Sequence, residues 1–530
     1  MSAMTKPNRA SLLASLKSAQ SRLGYLSPQA MAEIAEGHGV SESHVYGVAS
    51  FYSLLYCKPA AKHIIRLCGS LSCHFAGSSG PAESARKVLG IRPGEATSDG
   101  LFAVESVGCL GACGAGPAAL IDDRLYTRVD AEKLARLVSA VRDGEPEPAD
   151  GAFGPDAARA IGGPVLTSKS VERLLCCPKP EGILSAIEAS GLRGRGGAAF
   201  PTGRKWRICA ESPGDAKYVV CNADEGEPGM FKDRYLLVHR PDLMLAGMKL
   251  AMRAVGAQKG YVYLRGEYHD AREELEREMG RTPDTSNIGI VSGAGAYVCG
   301  EETALLESIE GERGVSRLRP PYPPVSGLFG CPTVINNVET LSLAPLIISR
   351  GSEWFRGLGT EESRGVKLFS VSGDVKRPGL IEAPLGMTLS EILDEAEASD
   401  VKAALVGGAS GTLVPTSEFG RKLCYEDLNP GAGAIIAIGE DRSMRDVVTN
   451  LMEFFEHESC GECAPCRIGT ARAREILAGA RQAGGAAETL RSIGETLVNA
   501  SRCGLGQTAS SALLDALRLF PDEFEWEAGA

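Results

Sequence analysis

The sequence predicts a multidomain α/β protein, and three observations carry that expectation. Its 530 residues exceed what one hydrophobic core serves, so several domains are required. Strand-like runs such as KYVVC (217–221) and GYVYLRG (260–266) alternate with helical stretches between residues 170 and 350, which implies a mostly parallel sheet covered on its faces. Beyond residue 440 the pattern turns helical, with Met444, Val447, Val448, Leu451, Met452 and Phe455 on one apolar stripe.

Taken in order, residues 1–60 read as short helices. Ser27–Pro28 is a cap followed by a first-turn proline, Ser41 is a second cap, and Val45, Val48, Phe51 and Tyr52 recur at helical spacing. Residues 61–143 read as a small α/β domain: strand HIIRLC into a cysteine loop, a helix ended by Gly90, strand–cysteine loop–strand, and a closing helix over 130–142. Residues 144–168, rich in Pro, Gly and Ala, read as a linker. Residues 169–350 hold the parallel sheet. Residues 351–440 are β-rich, with VKLFSVSGDVKRPGLIE (366–382) broken by Gly and Pro, a capped helix at TLSEILDEA and a turn at GGASG (407–411). Residues 441–530 are helical.

A chain that is 44% hydrophobic and 23% charged can bury its cores, and a net charge of −11 argues against a nucleic-acid binder. No apolar run approaches the roughly 20 residues that span a bilayer. The polar start MSAMTKPNRASLLASLKSAQ lacks a secretory apolar region, so the sixteen cysteines are expected in a reducing, cytoplasmic setting where thiols serve metals.

Eight of those cysteines fall into two sets. Cys68, Cys73, Cys109 and Cys113 form a C-x4-C and a C-x3-C pair, and Cys460, Cys463, Cys466 and Cys503 come from ESCGECAPCRIG and a distant SRCGLG. Four thiolates on loops hold an iron–sulfur core. Structural zinc is the rival, more so for the second set, because C-x4-C is loose for a tetrahedral ion. The other eight (Cys57, Cys176, Cys177, Cys209, Cys221, Cys299, Cys331, Cys424) lack chelating spacing and read mostly as small buried hydrophobes. The seven histidines show no catalytic spacing, so no acid–base residue is assigned.

Between the sets lies a nucleotide-type region. GLRGRGGAAFPTGRKW (191–206) can bring backbone N–H groups and Lys205 against a phosphate, although such glycines also mark ordinary turns. CNADEGEPGMFKDR (221–234) places Asn, Asp and Glu at a strand's carboxyl end, where parallel sheets bind ligands. GAGAYVCGEETALLESIEG (293–311) sets Glu301 and Glu302 at a helix start, as ligands or as mere caps. PTVINNVETL (332–341) adds Asn336 and Asn337.

In this order, and ahead of CGECAPC, these segments resemble the flavin- and NADH-binding subunit of respiratory complex I and its relatives in NAD-linked hydrogenases and formate dehydrogenases. The resemblance spans residues 165–530, and residues 20–142 resemble the thioredoxin-like [2Fe–2S] subunit of the same machines, fused in front. It implies a thioredoxin-like domain, a Rossmann-like FMN/NADH domain, a small β-grasp (ubiquitin-like) domain and a C-terminal helical bundle. It further implies FMN held by Gly194, Arg195, Gly196, Gly197, Lys205, Asn222, Asp224, Tyr297, Gly300, Glu301, Asn336 and Asn337. NADH would meet Phe200, Glu225, Glu227, Glu302, Arg319 and Tyr322, an acidic lining that favours NAD over NADP. Ile208 stands where the family has a second adenine-stacking aromatic, and Tyr322 where it often has Phe. The first cysteine set would bind [2Fe–2S] and the second [4Fe–4S].

The implied activity is that of a diaphorase: reversible hydride transfer between NAD(H) and FMN, then single electrons through the Cys460/463/466/503 cluster. From its placement in the fused domain alone, the Cys68/73/109/113 cluster is hypothesised to store one electron and limit the lifetime of half-reduced flavin. The fusion without a membrane segment points to a molybdenum- or tungsten-pterin catalytic subunit of a soluble NAD-dependent formate dehydrogenase as partner. The diaphorase subunit of an NAD-reducing hydrogenase, or an NADH dehydrogenase of complex I type, is the alternative. From another class stands a zinc-stabilised scaffold. Docking of the partner is expected near Phe454 and Phe455.

Overall fold

The computed structural model describes residues 11–151, 153–154, 157–168, 179–479 and 485–525. Three helices, Leu12–Leu23, Pro28–His38 and Glu42–Ala49, open the chain. Ser27 accepts from the Ala30 N–H at 3.1 Å and Ser41 from the His44 N–H at 3.2 Å, so both caps act as their sequence signals indicate. The helices dock on the parallel-sheet domain, not on the small domain next in sequence. Lys17 Nζ donates to Gly293 O at 2.7 Å and Tyr52 OH to Glu312 O at 2.7 Å.

Strands β1 (His63–Cys68), β2 (Phe102–Val107), β3 (Ala119–Ile121) and β4 (Arg124–Tyr126) form a sheet in the order β2-β1-β3-β4, parallel only between β1 and β2. Helices Ser79–Leu89 and Ala131–Arg142 cover its core of Ile65, Phe102, Val104 and Leu134. Between this domain and the next lies β5 (Ala158–Ala160), inside the segment expected to be a linker. That expectation needs correction. β5 pairs in parallel with a strand of a distant sheet, Gly379–Pro384, and the buried Glu382 carboxylate there accepts the N–H groups of Val165, Leu166 and Thr167 at 3.2, 2.6 and 3.1 Å. A buried carboxylate needs such donors, and this segment supplies them.

The central sheet consists of β6 (Tyr218–Ala223), β7 (Lys259–Leu264), β8 (Ile288–Ser292) and β9 (Thr333–Asn337), all parallel, in the order β8-β7-β6-β9. Helices Pro241–Val255 and Val338–Arg350 pack on each other so closely that a Cβ on Gly247 would sit 1.9 Å from Leu341 O. The β-rich domain comprises β10 (Val366–Gly373), β11 (Gly379–Pro384), β12 (Val401–Val406), β13 (Thr412–Pro415) and β14 (Ala434–Gly439), in the order β13-β12-β14-β10-β11-β5. Its helix Leu389–Glu395 starts with a reciprocal cap between Thr388 and Glu391. Helices Met444–Glu458, Ala464–Leu477, Ala486–Ala500 and Ser511–Leu519 close the fold. Among the described residues no helix is long and apolar enough to cross a membrane.

Candidate functional site

The central sheet reverses its strand order between β6 and β9, and a parallel sheet opens a ligand crevice at the carboxyl ends of such neighbours. The register sets Cys221 beside Asn336 and Asn222 beside Asn337 there. Above them the glycine-rich segment folds back on itself: Gly194 N–H donates to Phe200 O at 3.0 Å and Thr202 N–H to Leu192 O at 2.8 Å. A Cβ on Gly196 would lie 3.1 Å from the Asn337 Cβ, so the loop rests directly on the strand end. From helix Thr202–Glu211, Lys205 reaches into the crevice, Nζ 3.1 Å from Ile335 O and 3.3 Å from Glu302 Oε2.

Two carboxylate oxygens in this crevice stand sealed from solvent without a hydrogen bond, Asp224 Oδ2 and Glu301 Oε1. Burial, reinforced by Glu267 and Glu458 against the opposing charge of Arg265, pushes the Asp224 carboxyl up to about 8. Glu301 spends its other oxygen capping helix Glu302–Glu310, accepting from Thr303 and Ala304 N–H at 3.0 Å each. The cap and the ligand readings therefore coexist in one side chain. Asn222 shapes the rim: its amide donates to Gly300 O at 2.8 Å and its Oδ1 accepts from Asp224 N–H at 3.2 Å. Asn336 Oδ1 accepts from Trp206 Nε1 at 2.7 Å. Tyr297 donates its hydroxyl to Glu227, whose other oxygen accepts from Ser410 N–H at 2.8 Å. At the mouth, Phe200 and Tyr322 present exposed rings, Ile208 is half-buried, and Arg319 lies 3.3 Å from Glu302 and 3.7 Å from Glu301.

Three expected contacts point elsewhere. The Arg195 guanidinium is buried against the β-rich domain, donating to Tyr425 OH at 2.9 Å and Arg364 O at 2.6 Å, so it is an interdomain strut rather than a phosphate cation. Glu225 lies behind the crevice, because it accepts the N–H groups of Asp233 and Arg234 at 2.9 and 3.1 Å and the Tyr268 hydroxyl at 3.1 Å. The acidic lining expected to discriminate NAD from NADP loses that member. Asn337 is held by other segments: its Oδ1 accepts from Lys232 Nζ and Glu339 N–H at 3.1 and 3.0 Å, and its amide donates to Asp233 at 2.6 Å.

The structure brings each cysteine set together. Cys109 and Cys113 Sγ are 3.1 Å apart, and both pack against Phe231. Cys68 hydrogen-bonds with Cys109 and Cys73, and Cys113 accepts from Gly229 N–H at 3.3 Å. Hydrogen bonding with Cys109 and burial push the Cys113 thiol well up. In the second set Cys463 is the N-cap of helix Ala464–Leu477 and Cys503 that of Gly504–Thr508. All four line one small cavity with Ser316, Ser459, Glu462, Arg502 and Leu505. Burial pushes the Cys466 thiol up to about 11. Among the described residues, no three or more thiol, imidazole or carboxylate groups converge on a point fit for one metal ion. Of the remaining cysteines, Cys209, Cys221, Cys299 and Cys424 are buried, Cys57 and Cys331 half-buried, and Cys176 and Cys177 lie outside the described residues.

Sequence reasoning passed over Arg265, at the end of β7. Its guanidinium joins the carbonyls of Cys109 and Glu225 and pairs with Glu267 at 3.2 Å. An arginine closing the apolar strand GYVYLRG was the available signal.

Comparison with known proteins accounts for nearly the whole chain. The Nuo51 FMN-binding domain matches residues 187–345, the thioredoxin-like [2Fe–2S] ferredoxin 1–142, the NADH-ubiquinone oxidoreductase-F iron–sulfur binding region 446–527, and the SLBB domain 368–396. The alpha subunit of the NAD-reducing hydrogenase HoxS of Cupriavidus necator is 37% identical over 98% of this chain and 92% of its own. The chain belongs to this diaphorase family. An NADH-quinone oxidoreductase chain of Rhizobium meliloti is 41% identical over 65% of this chain and 88% of its own. A crystal structure of an air-oxidised NAD+-reducing [NiFe]-hydrogenase superposes with a TM-score of 0.91 at 37% identity, covering 98% of this chain and 94% of that one. This diaphorase is an FMN-dependent NAD(H) oxidoreductase with [2Fe–2S] and [4Fe–4S] centres. Its residues suit those groups. A flavin phosphate requires a close backbone cradle and a cation, present at Gly194–Gly197 and Lys205, and two four-thiol sets suit two iron–sulfur cores.

Proposed function

We propose that this diaphorase is the NAD-reducing module of a heteromeric, cytoplasmic NAD-linked hydrogenase. The observation that supports this most is likeness over 98% of the chain to a hydrogenase alpha subunit carrying the same fusion. That likeness moves the preference away from the formate-dehydrogenase partner expected from the sequence, which stays as the second reading.

In the proposed site Lys205 neutralises the FMN phosphate against the Gly194–Gly197 loop. Asp224 Oδ2 and Glu301 Oε1 offer acceptors to flavin and ribose donors. Tyr297, fixed by Glu227, walls the ring site, and Asn336 and the Asn222–Gly300 contact set its floor. The exposed Phe200 and Tyr322 rings stack on adenine, with Arg319 beside them. Bound FMN supplies the two-electron to one-electron conversion; the protein supplies position and charge. The cluster ligands are the two four-thiol sets. Phe454 and Phe455, 7% and 0% exposed, are core residues and not the docking face. The catalytic partner is placed instead against exposed Ile468 and Val498, on the helices beside the second thiol cavity.

Affinity purification of the chain with its native partners tests the reading. Hydrogen-dependent NAD reduction with nickel in the complex is the expected result. Formate-dependent reduction with molybdenum or tungsten would replace the hydrogenase partner by the second reading.

A further inference from the structure

We propose that the groove between the thioredoxin-like domain and the β10–β11 hairpin docks an acidic, soluble one-electron carrier protein. The groove measures about 640 Å3 and, among the described residues, is lined by Arg128, Lys133, Arg159, Lys376 and Arg377 against one carboxylate, Asp150. On a chain of net charge −11 this is a local inversion of sign. Part of the charge is already answered: Asp150 holds Lys133 at 2.7 Å, and Glu395 and Glu397, behind the groove, hold Arg159 and Arg377 at 3.2 Å each. Arg128 and Lys376 are exposed, and among the described residues neither side chain has a partner.

The floor of the groove gives this surface its function. Phe153 lines it and stacks on Phe231, with ring centroids 4.5 Å apart and planes 21° from parallel. Phe231 shares one buried cluster with Cys109 and Cys113, and Gly114, the residue after Cys113, lines the groove and would carry a Cβ 3.1 Å from the Phe231 ring. The groove is thus the outer wall of the first thiol set, reached through two stacked rings. A free phosphate or nucleotide would use the cations but not the aromatic path, whereas an acidic electron carrier uses both. Complementary charge steers such short-lived encounters, which belong with the smallest interfaces. Cys68, Cys73, Cys109 and Cys113 would hold the group that, once bound, would give one electron to a docked carrier or take one from it, with no bond or proton moving.

Titrating the purified complex and the full chain with a plant-type acidic [2Fe–2S] ferredoxin, without NADH, tests this by calorimetry. Binding at low ionic strength should weaken roughly tenfold or more at 0.3 M salt, as screened charges require. The double variant Arg128→Glu/Lys376→Glu should weaken it by a similar factor, while NADH-dependent ferricyanide reduction stays unchanged. Equal affinity of the variant and the parent, or no ferredoxin binding at low salt, would overturn the proposal. So would saturation of the groove by inorganic tripolyphosphate, read as protection of Lys376 from acylation, in a protein that ignores ferredoxin.

Discussion

The backbone N–H of Tyr297 donates to Glu458 Oε2 at 3.0 Å, across 161 residues of sequence. Glu458 ends the helix that leads to Cys460, and a Cβ on Gly108, beside Cys109, would lie 3.3 Å from Glu458 Oε1. One carboxylate therefore sits where the flavin wall, the first thiol set and the approach to the second meet. Phe454 completes the joint, edge-on to Tyr297 with centroids 5.0 Å apart.

That joint predicts the behaviour of Phe454→Ala. Losing a buried ring at a three-way junction should cost about 3–5 kcal/mol, read as a lower urea midpoint. An unchanged midpoint with weakened binding of the catalytic partner would return Phe454 to a docking role.

Replacing Lys205 by Glu puts a second negative charge beside Glu302, 3.3 Å from the present ammonium. Flavin content of the purified variant, read from its absorbance, should fall roughly tenfold or more, as expected where a charge-assisted contact becomes repulsive. Stoichiometric FMN in the variant would refute the placement of the phosphate.

Cys503→Ala should remove or convert the second cluster while FMN stays bound, because Cys503 caps a separate short helix that supplies none of the crevice residues. Low-temperature EPR of the reduced variant reports the outcome. An intact cubane signal would place the fourth ligand elsewhere.

Glu339 lies fully buried between Lys232 at 3.2 Å and Lys367 at 3.6 Å. Although burial opposes it, the two ammonium groups hold its carboxyl below the usual range. Glu339→Gln leaves Lys367 without a counter-charge and Lys232 with Asp233 alone, and should cost about 3–5 kcal/mol. Urea unfolding followed by fluorescence of buried Trp206 measures it, and a loss under about 1 kcal/mol would contradict the buried pairing.

Asp224 gives a pH prediction. Its folded pKa of about 8 lies above the unfolded value of about 3.9. The folded chain thus keeps a proton that the unfolded chain releases, and this contribution to stability, complete below pH ~4, is lost as pH rises through ~8. In flavin-free protein, Asp224→Asn should flatten the fall in urea midpoint between pH 5 and 8. An identical pH profile in both proteins would exclude Asp224 as its source.

The sequence by itself determined the local chemistry. Ser27, Ser41 and Thr388 announced helix starts because a side-chain oxygen answers an N–H three residues on. The stripe from Met444 to Phe455 fixed a helix and its buried face, since helical period alone sets which side chains share a face. The spacing of the two cysteine sets and the acid-rich end of KYVVC named the metal and nucleotide regions before any fold was known. Only the tertiary structure decided the direction of each side chain. Arg195, Glu225 and Asn337 carry the right groups in the right motif, yet their partners (Tyr425, the Asp233 N–H and Lys232) come from other segments and claim them for structure. The supposed linker became a strand because Glu382, more than 200 residues later, required buried donors. Arg265 and Glu458 gained their places through contacts over 150 residues long. A motif specifies which atoms are available; burial and long-range hydrogen bonding decide which of them remain free for a ligand.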